Sequence, residues 1–130
     1  MFLETSAIIE YFTIGPDYDR IAKALSTPNL RFCASPSVIF EAAVVLASKR
    51  QIDIPDATKL LTTFLDELGA EVIPATRETA LSALDAFARY GKGRHPAKLN
   101  FGDCFSYAGA KAAGLPLLYV GKDFAQTDLA

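Results

Sequence analysis

The fold is decided first by residues 1–12, which read Met1-Phe2-Leu3-Glu4-Thr5-Ser6-Ala7-Ile8-Ile9-Glu10-Tyr11-Phe12. The apolar run at residues 1–3 stops at Glu4, after which Thr5 or Ser6 can cap a helix that continues through Phe12. This pattern is typical of a strand followed by a helix: a short apolar run leads through a polar turn into apolar residues at helical spacing. The same alternation recurs along the chain.

The remaining segments predict further strands and helices. The strands are expected at residues 30–34, 71–73 and 116–120, and the helices at residues 17–27, 36–50, 53–68, 77–90 and 101–113. Ser35, Thr76 and Asn100 are typical of a helix start, and Gly69 and Gly114 of a helix end. Strands that alternate with helices predict an α/β fold in which helices cover both faces of a parallel sheet.

Length and composition bound the class of protein. The 130 residues are 51% hydrophobic and contain no repeat or linker, which predicts one domain over residues 1–130. The formal net charge is −2, from 13 Lys and Arg against 15 Asp and Glu, so no global positive field indicates a nucleic-acid or membrane binder. Cys33 and Cys104 lie in apolar runs, and the absence of a CxxC pair or a histidine cluster argues against a zinc site.

The sequence also predicts where the protein works. No apolar run approaches the roughly 20 residues that span a bilayer. Residues 1–4 offer neither a basic region nor an apolar stretch long enough for a signal peptide. We therefore expect a cytoplasmic protein with reduced thiols and no membrane association.

Acidic residues stand at predicted strand ends and helix starts. Glu4 ends the first strand, Asp123 follows the last one, and Glu41 and Asp103 lie in the first two turns of helices. Ligands of parallel α/β sheets bind beyond the carboxyl ends of the strands, where these four carboxylates could converge. Clustered carboxylates repel one another unless cations bridge them, and their oxygens favour Mg²⁺ or Mn²⁺. The pattern therefore predicts a divalent metal site.

Each carboxylate also has a purely structural explanation. Asp103 stands three residues after Asn100, so it can complete a capping box at a helix start. Asp123 lies in a Gly-Lys-Asp turn, and Glu4 adjoins residues that can cap a helix. Glu41 interrupts an apolar segment, which disfavours a purely solvated position. The case for a metal site therefore rests on the four residues together.

Four blocks of the sequence carry a family resemblance. They are Phe2-Leu3-Glu4-Thr5-Ser6-Ala7, Ser37-Val38-Ile39-Phe40-Glu41, Leu99-Asn100-Phe101-Gly102-Asp103-Cys104 and Tyr119-Val120-Gly121-Lys122-Asp123-Phe124. In this order, and over the whole chain, they resemble the PIN-domain ribonucleases and, more narrowly, the VapC toxins of bacterial toxin-antitoxin pairs. The resemblance implies a single three-layer α/β/α PIN domain that acts as a metal-dependent endoribonuclease toxin.

The resemblance also implies a set of site residues. The carboxylates that bind the metal and catalyse would be Glu4, Glu41, Asp103 and Asp123. The cofactor would be Mg²⁺ or Mn²⁺, which lowers the pKa of bound water, orients it and stabilises the charge that develops on the phosphate. Thr5, Ser6 and Asn100 would support the carboxylates without binding the ion. The alternative for Thr5 and Ser6 is that they only cap a helix.

Glu4 departs from the family pattern, in which the first block carries Asp. The extra methylene moves the carboxylate by about one C–C bond length, whereas Mg²⁺ demands near-octahedral geometry. Two origins stay open: natural variation with weaker activity, and a substitution that makes a growth-inhibiting nuclease tolerable in an expression host. The alternative function is thus a catalytically weakened PIN-like module that binds RNA or protein. A receiver-like phosphoacceptor or phosphatase is disfavoured, because it requires Asp at the first strand end.

A basic segment precedes the third block. Residues 86–102 contain no acidic residue, while basic side chains accumulate there at Arg89, Lys92, Arg94, His95 and Lys98. We expect Lys92, Arg94 and Lys98 to contact RNA phosphates, with a solvated surface loop as the structural alternative. His95 is not expected to act as a general base, because metal-activated water fills that role.

Apolar side chains exceed what a small sheet needs. Most of them are expected in the core, namely Tyr11, Phe12, Phe40, Leu61, Phe64, Leu65 and Leu68. The helix at 53–68 and the helix before it are expected to leave a groove for a partner helix. By resemblance, this partner is a VapB-like antitoxin whose C-terminal segment occludes the active site, and the assembly is a homodimer or a toxin-antitoxin hetero-oligomer.

Overall fold

The computed structural model describes all residues, 1–130. Its strands are β1 (Phe2–Leu3), β2 (Cys33–Ala34), β3 (Glu71–Val72) and β4 (Leu117–Leu118). Its helices are α1 (Thr5–Thr13), α2 (Tyr18–Leu25), α3 (Pro36–Arg50), α4 (Ile54–Leu68), α5 (Arg77–Tyr90) and α6 (Phe101–Ala113), followed by a 3-10 helix at Phe124–Gln126. The predicted order of strands and helices is confirmed.

The four strands form one parallel sheet in the order β3-β2-β1-β4. Phe2 pairs with Cys33 on one side and with Leu117 on the other. Each strand is only two residues long, shorter than the predicted apolar runs. Backbone hydrogen bonds nevertheless continue past the strand ends, for example from the Glu4 N–H to the Leu118 carbonyl at 3.1 Å. Glu4 is therefore held in the sheet as its first strand ends.

Helices cover both faces of the sheet, which makes three layers. One face presents Phe2, Cys33 and Leu117 to α5 and α6, and the other presents Leu3, Ala34 and Leu118 to α1, α2, α3 and α4. Neighbouring positions of a strand point to opposite faces, so β1, β2 and β4 each contribute one residue to each core, whereas both residues of β3 are exposed. Gly109 lets α6 approach β1, because a Cβ there would overlap the Phe2 ring.

The predicted caps Ser35, Thr76 and Asn100 are confirmed, Asp53 caps α4 as well, and α2 has no side-chain cap. The side chains of Ser35, Asp53, Thr76 and Asn100 accept hydrogen bonds from the backbone at the starts of α3, α4, α5 and α6. The prediction that Thr5 or Ser6 caps α1 is wrong. Glu4 is the N-cap: its backbone is extended, and its carboxylate accepts the Ser6 N–H at 2.8 Å. Thr5 is instead already the first residue of the helix.

The cysteines and the apolar residues occupy mostly the expected places. Cys33 and Cys104 are buried free thiols, and burial raises the pKa of Cys104 to about 11, so this thiol stays protonated. Phe40 is the exception among the predicted core residues, since 74% of it is exposed on α3. None of the helices is both long and apolar enough to cross a membrane.

Candidate active site

Glu4 lies at the carboxyl end of β1, in the middle of the sheet, and is only 4% exposed. Its carboxylate accepts hydrogen bonds from the backbone N–H and the hydroxyl of Ser6. Desolvation, together with the negative charges of Asp103 and Glu41, raises the pKa of Glu4 to about 7, against the Ser6 hydrogen bonds, which lower it. A buried carboxyl with such a pKa is a candidate functional group.

Ser6 joins two of the four blocks. Its hydroxyl donates to the Glu4 carboxylate and accepts the Val120 N–H at 2.9 Å. Val120 lies two residues past β4 and leads into the loop that carries Asp123. The support proposed for Ser6 therefore has a concrete form, a bridge between the ends of β1 and β4. Thr5 has no such contact: its buried hydroxyl lacks a hydrogen-bond partner.

Glu41 and Asp103 face each other across α3 and α6. A Cβ at Gly102 would lie 3.0 Å from Glu41 Oε2, so a side chain here would crowd the Glu41 carboxylate, which lies against the start of α6. Burial raises the pKa of Asp103 against the backbone hydrogen bond from Asn100, and the charges of Glu41 and Asp123 raise it further. Sequence analysis assigned no role to Gly102, although a glycine directly before a candidate ligand was a visible signal.

Asp103 also performs the capping role that was its structural alternative. Its Oδ2 accepts the Asn100 N–H at 3.1 Å, while Asn100 Oδ1 accepts the Asp103 N–H at 3.0 Å. These two bonds form a capping box at the start of α6. They occupy only one carboxylate oxygen, so Oδ1 of Asp103 stays available. Capping and metal binding are therefore compatible at this residue.

Asp123 is the most peripheral of the four carboxylates. It is exposed and stands directly before the 3-10 helix, without a side-chain capping bond. Its charge acts on Asp103 and is not among the causes that shift the pKa of Glu4. The structure thus places Glu41 and Asp103 near enough for their charges to raise the pKa of Glu4, and Asp123 near enough to raise that of Asp103.

The four candidate ligands are of the chemical type that binds divalent cations, but they lie too far apart in this structure to hold one ion together. All four groups are carboxylates, the ligands that Mg²⁺ and Mn²⁺ prefer. No three acidic, His or Cys side chains lie close enough together to hold one ion. Ligation would therefore require side chains to rotate towards Glu4, whose own carboxylate is held in place by Ser6.

The basic residues between α5 and α6 lie on an exposed loop. Lys92, Arg94 and Lys98 are exposed, form no ion pair and line, with Gly93, His95 and Pro96, a surface concavity of about 560 Å³. The Arg94 guanidinium lies 5.5 Å from the centre of the Phe87 ring. Arg89 is different, because it bonds to Tyr90 and Tyr107.

His95 has a structural role in this loop. Its Nδ1 accepts the Ala97 N–H at 3.1 Å, and its ring packs edge-on against Tyr90 at 5.1 Å. A ring nitrogen that accepts a backbone hydrogen bond is not free to accept a proton from water. That His95 does not act as the general base stays a prediction.

Fold and site together define an α/β/α domain of the nuclease type, with acidic groups beyond a parallel sheet and a basic loop beside them. The PIN-domain family model matches residues 1–129, and the chain belongs to this family. Within it, the chain groups with the VapC ribonucleases. It is 41% identical to a VapC ribonuclease of Rhizobium meliloti, covering 98% of both chains. It is 34% identical to ribonuclease VapC30 of Mycobacterium tuberculosis, covering 100% of this chain and 96% of that one.

Solved structures agree on the fold. Mycobacterium tuberculosis VapC20, described as a sarcin-ricin loop cleaving toxin, superposes with a TM-score of 0.75 at 17% identity, over 95% of this chain and 92% of that one. A chain of a toxin-antitoxin complex from Klebsiella pneumoniae superposes with a TM-score of 0.70 at 19% identity, over 98% of this chain and 92% of that one. At these identities the likeness concerns the architecture, which the three-layer prediction describes correctly.

Proposed function

We propose that the chain is the endoribonuclease toxin of a toxin-antitoxin system and that Glu4, Glu41, Asp103 and Asp123 hold a Mg²⁺ or Mn²⁺ ion. The full-length relatives that share 34% to 41% identity are ribonucleases, which favours cleavage over the alternative of a binding module. One observation supports the assignment of the site: the buried Glu4 ends β1, and Glu41 of α3 lies against Gly102, directly before Asp103, while the charges of Glu41 and Asp103 help to raise the pKa of Glu4.

The acidic residues would share the work of binding the ion. When bound, the cation would activate water and neutralise charge on the scissile phosphate. Ser6 fixes the Glu4 carboxylate through two hydrogen bonds, and Asn100 fixes one oxygen of Asp103. Because the pKa of Glu4 is about 7 without the ion, Glu4 must release a proton as the ion binds, so affinity should rise between pH 6 and pH 8.

Lys92, Arg94 and Lys98 would contact the RNA backbone. Their ammonium and guanidinium groups are free of ion pairs, and the loop ends two residues before Asn100, at the start of the helix that carries Asp103. Phosphate contacts of this kind position a strand without reading its sequence. The loop is therefore suited to lead an RNA strand towards the carboxylates.

A VapB-like antitoxin is the proposed partner. A groove of about 570 Å³ lies beside α1 and α4, where Tyr11, Phe12, Leu60 and Phe64 contribute to its lining. An amphipathic segment can lay its apolar face into such a groove. We place the pair in the cytoplasm, where the toxin would meet its RNA.

The chain would assemble as a homodimer or as a hetero-oligomer with the antitoxin. An entirely apolar cleft of about 380 Å³ lies between α5 and α6, and its rim includes Leu84 and Phe101, the latter 75% exposed. Monomeric proteins rarely leave large contiguous apolar surface open. This cleft favours contact with another protein chain.

The test is cleavage of a fluorescent RNA by the purified chain with Mg²⁺, with Mn²⁺ and with EDTA. We expect cleavage only with a divalent ion and its loss in Asp103→Asn. The matched control is Asp53→Asn, which removes a carboxylate of the same type at the start of α4 and should leave cleavage unchanged. Cleavage in EDTA would refute the metal assignment, and no cleavage with either ion would favour the binding module.

A further inference from the structure

The segment that follows Asp123 is folded back onto the domain. Phe124 is 3% exposed and packs against Tyr119, with ring centres 5.4 Å apart. Thr127 is buried, and its hydroxyl donates to the Phe124 carbonyl at 2.7 Å and accepts the Leu129 N–H at 3.1 Å. Asp123 is thus the first residue of a short segment with a defined conformation.

Asp128 anchors the far end of that segment to α6. Its Oδ1 accepts the Tyr107 hydroxyl at 2.7 Å, and its Oδ2 accepts the Lys111 ammonium at 2.7 Å. The guanidinium of Arg89 lies 3.9 Å from the same Oδ2 and donates to the Tyr107 hydroxyl at 3.3 Å. The hydrogen bonds from Lys111 and Tyr107 lower the pKa of Asp128, so the anchor is ionised at neutral pH.

The partners of Asp128 share a helix face with a candidate metal ligand. Asp103, Tyr107 and Lys111 follow one another at intervals of four residues along α6. Residues four apart on a helix lie one above the other on the same face. One face of α6 therefore carries Asp103 at its first turn and the two groups that bind Asp128 further along.

We propose that Asp128 is a positioning residue: by binding Tyr107 and Lys111 on the face of α6 that carries Asp103, it sets the position of Asp123 relative to Asp103. The inference rests on the proposed function of the four carboxylates. Asp128 itself touches neither ion nor RNA in this scheme. Its effect passes through residues 123–128, whose other attachments are the buried Phe124 and Thr127.

The first test measures Mn²⁺ binding to the full-length chain by isothermal titration calorimetry. Residues that orient metal ligands typically contribute 10- to 100-fold to metal affinity, and we expect Asp128→Ala to lose roughly tenfold. Asp128→Asn keeps an oxygen for Tyr107 and should lose less. The control is Asp85→Ala, which removes another carboxylate near Arg89, at 3.9 Å, and should leave the affinity unchanged.

The second test asks whether Asp128 acts through Asp123. In an Asp123→Ala background, adding Asp128→Ala should cause no further loss of Mn²⁺ affinity, because the group that it positions is already absent. Amide hydrogen exchange at residues 124–127 should accelerate in Asp128→Ala, while exchange in α6 stays as in the wild type. If the fold losses of Mn²⁺ affinity caused by the two single substitutions multiply in the double variant, the proposal is overturned.

The outcomes separate this inference from the proposed function. If the wild type binds Mn²⁺ and cleaves RNA while Asp128→Ala keeps full affinity, the positioning role is refuted and the nuclease function stands. If the wild type binds no Mn²⁺, the metal site and the positioning role both fail. If Mn²⁺ binding falls as expected but the wild type does not cleave RNA, Asp128 positions a metal site that serves another function.

Discussion

Replacing Glu4 with Gln should stabilise the cation-free protein at alkaline pH and remove much of the pH dependence of its stability. The pKa of Glu4 rises from 4.5 in an unstructured chain to about 7 in the fold, mainly through burial. Because the folded pKa is raised, this group's contribution to the free energy of unfolding is complete below pH 4.5 and is lost as pH rises through about 7. Gln stays neutral at every pH, so it avoids this loss.

The magnitude follows from the size of the pKa shift. A rise in pKa from 4.5 to about 7 corresponds to about 3–4 kcal/mol, at about 1.4 kcal/mol for each tenfold change in the acid dissociation constant. For a chain of 130 residues this is roughly 10 °C in Tm. The carboxamide oxygen of Glu4→Gln can still accept from Ser6, so near pH 4.5 the wild type and the variant should have similar stability.

The assay is urea and thermal unfolding in EDTA between pH 4.5 and pH 9. Glu78→Gln is the matched control, since it makes the same chemical change at an exposed position of α5 and should alter stability little. Curves for the wild type and Glu4→Gln that stay parallel over the whole pH range would refute the reasoning. In that case Glu4 would be ionised in the folded protein despite its burial.

Three further predictions concern the site. Glu4→Asp restores the residue expected in the first block and should increase Mn²⁺-dependent RNA cleavage. If the variant and the wild type show equal initial rates in a fluorescent-RNA assay, Glu4 is already a competent ligand. Asp103→Asn removes one of several mutually repelling charges, so it should raise Tm in EDTA and reduce the further increase in Tm that Mn²⁺ causes. A lower Tm in EDTA together with an unchanged increase on adding Mn²⁺ would contradict the metal assignment. Arg94→Gln with Lys98→Gln should reduce the slope of log affinity for single-stranded RNA against log salt by about 0.7 per lost phosphate contact, whereas Lys49→Gln with Arg77→Gln should leave it unchanged.

Much of the fold and the identity of the candidate ligands could be predicted from the sequence. Short apolar runs alternate with segments whose apolar residues recur at helical spacing, and this alternation predicted a parallel sheet between helices. Such patterns are local, because each strand or helix is recognised from its own residues. Ser35, Thr76 and Asn100 cap helices in the structure as predicted, since capping needs only neighbouring residues. The four acidic positions were visible for the same reason, as each lies near the end of a predicted strand or in the first two turns of a helix.

Only the tertiary structure decided how these residues behave. Glu4, not Thr5 or Ser6, caps α1, and its pKa of about 7 depends on burial and on the charges of Asp103 and Glu41, which are distant from it in the sequence. The bridge from Ser6 to Val120 joins residues 114 positions apart. The contacts of Asp128 with α6 likewise arise because residues 124–128 fold back onto the domain beside that helix. Burial and charge-charge interactions depend on which distant segments meet, and a linear pattern carries no record of those distances.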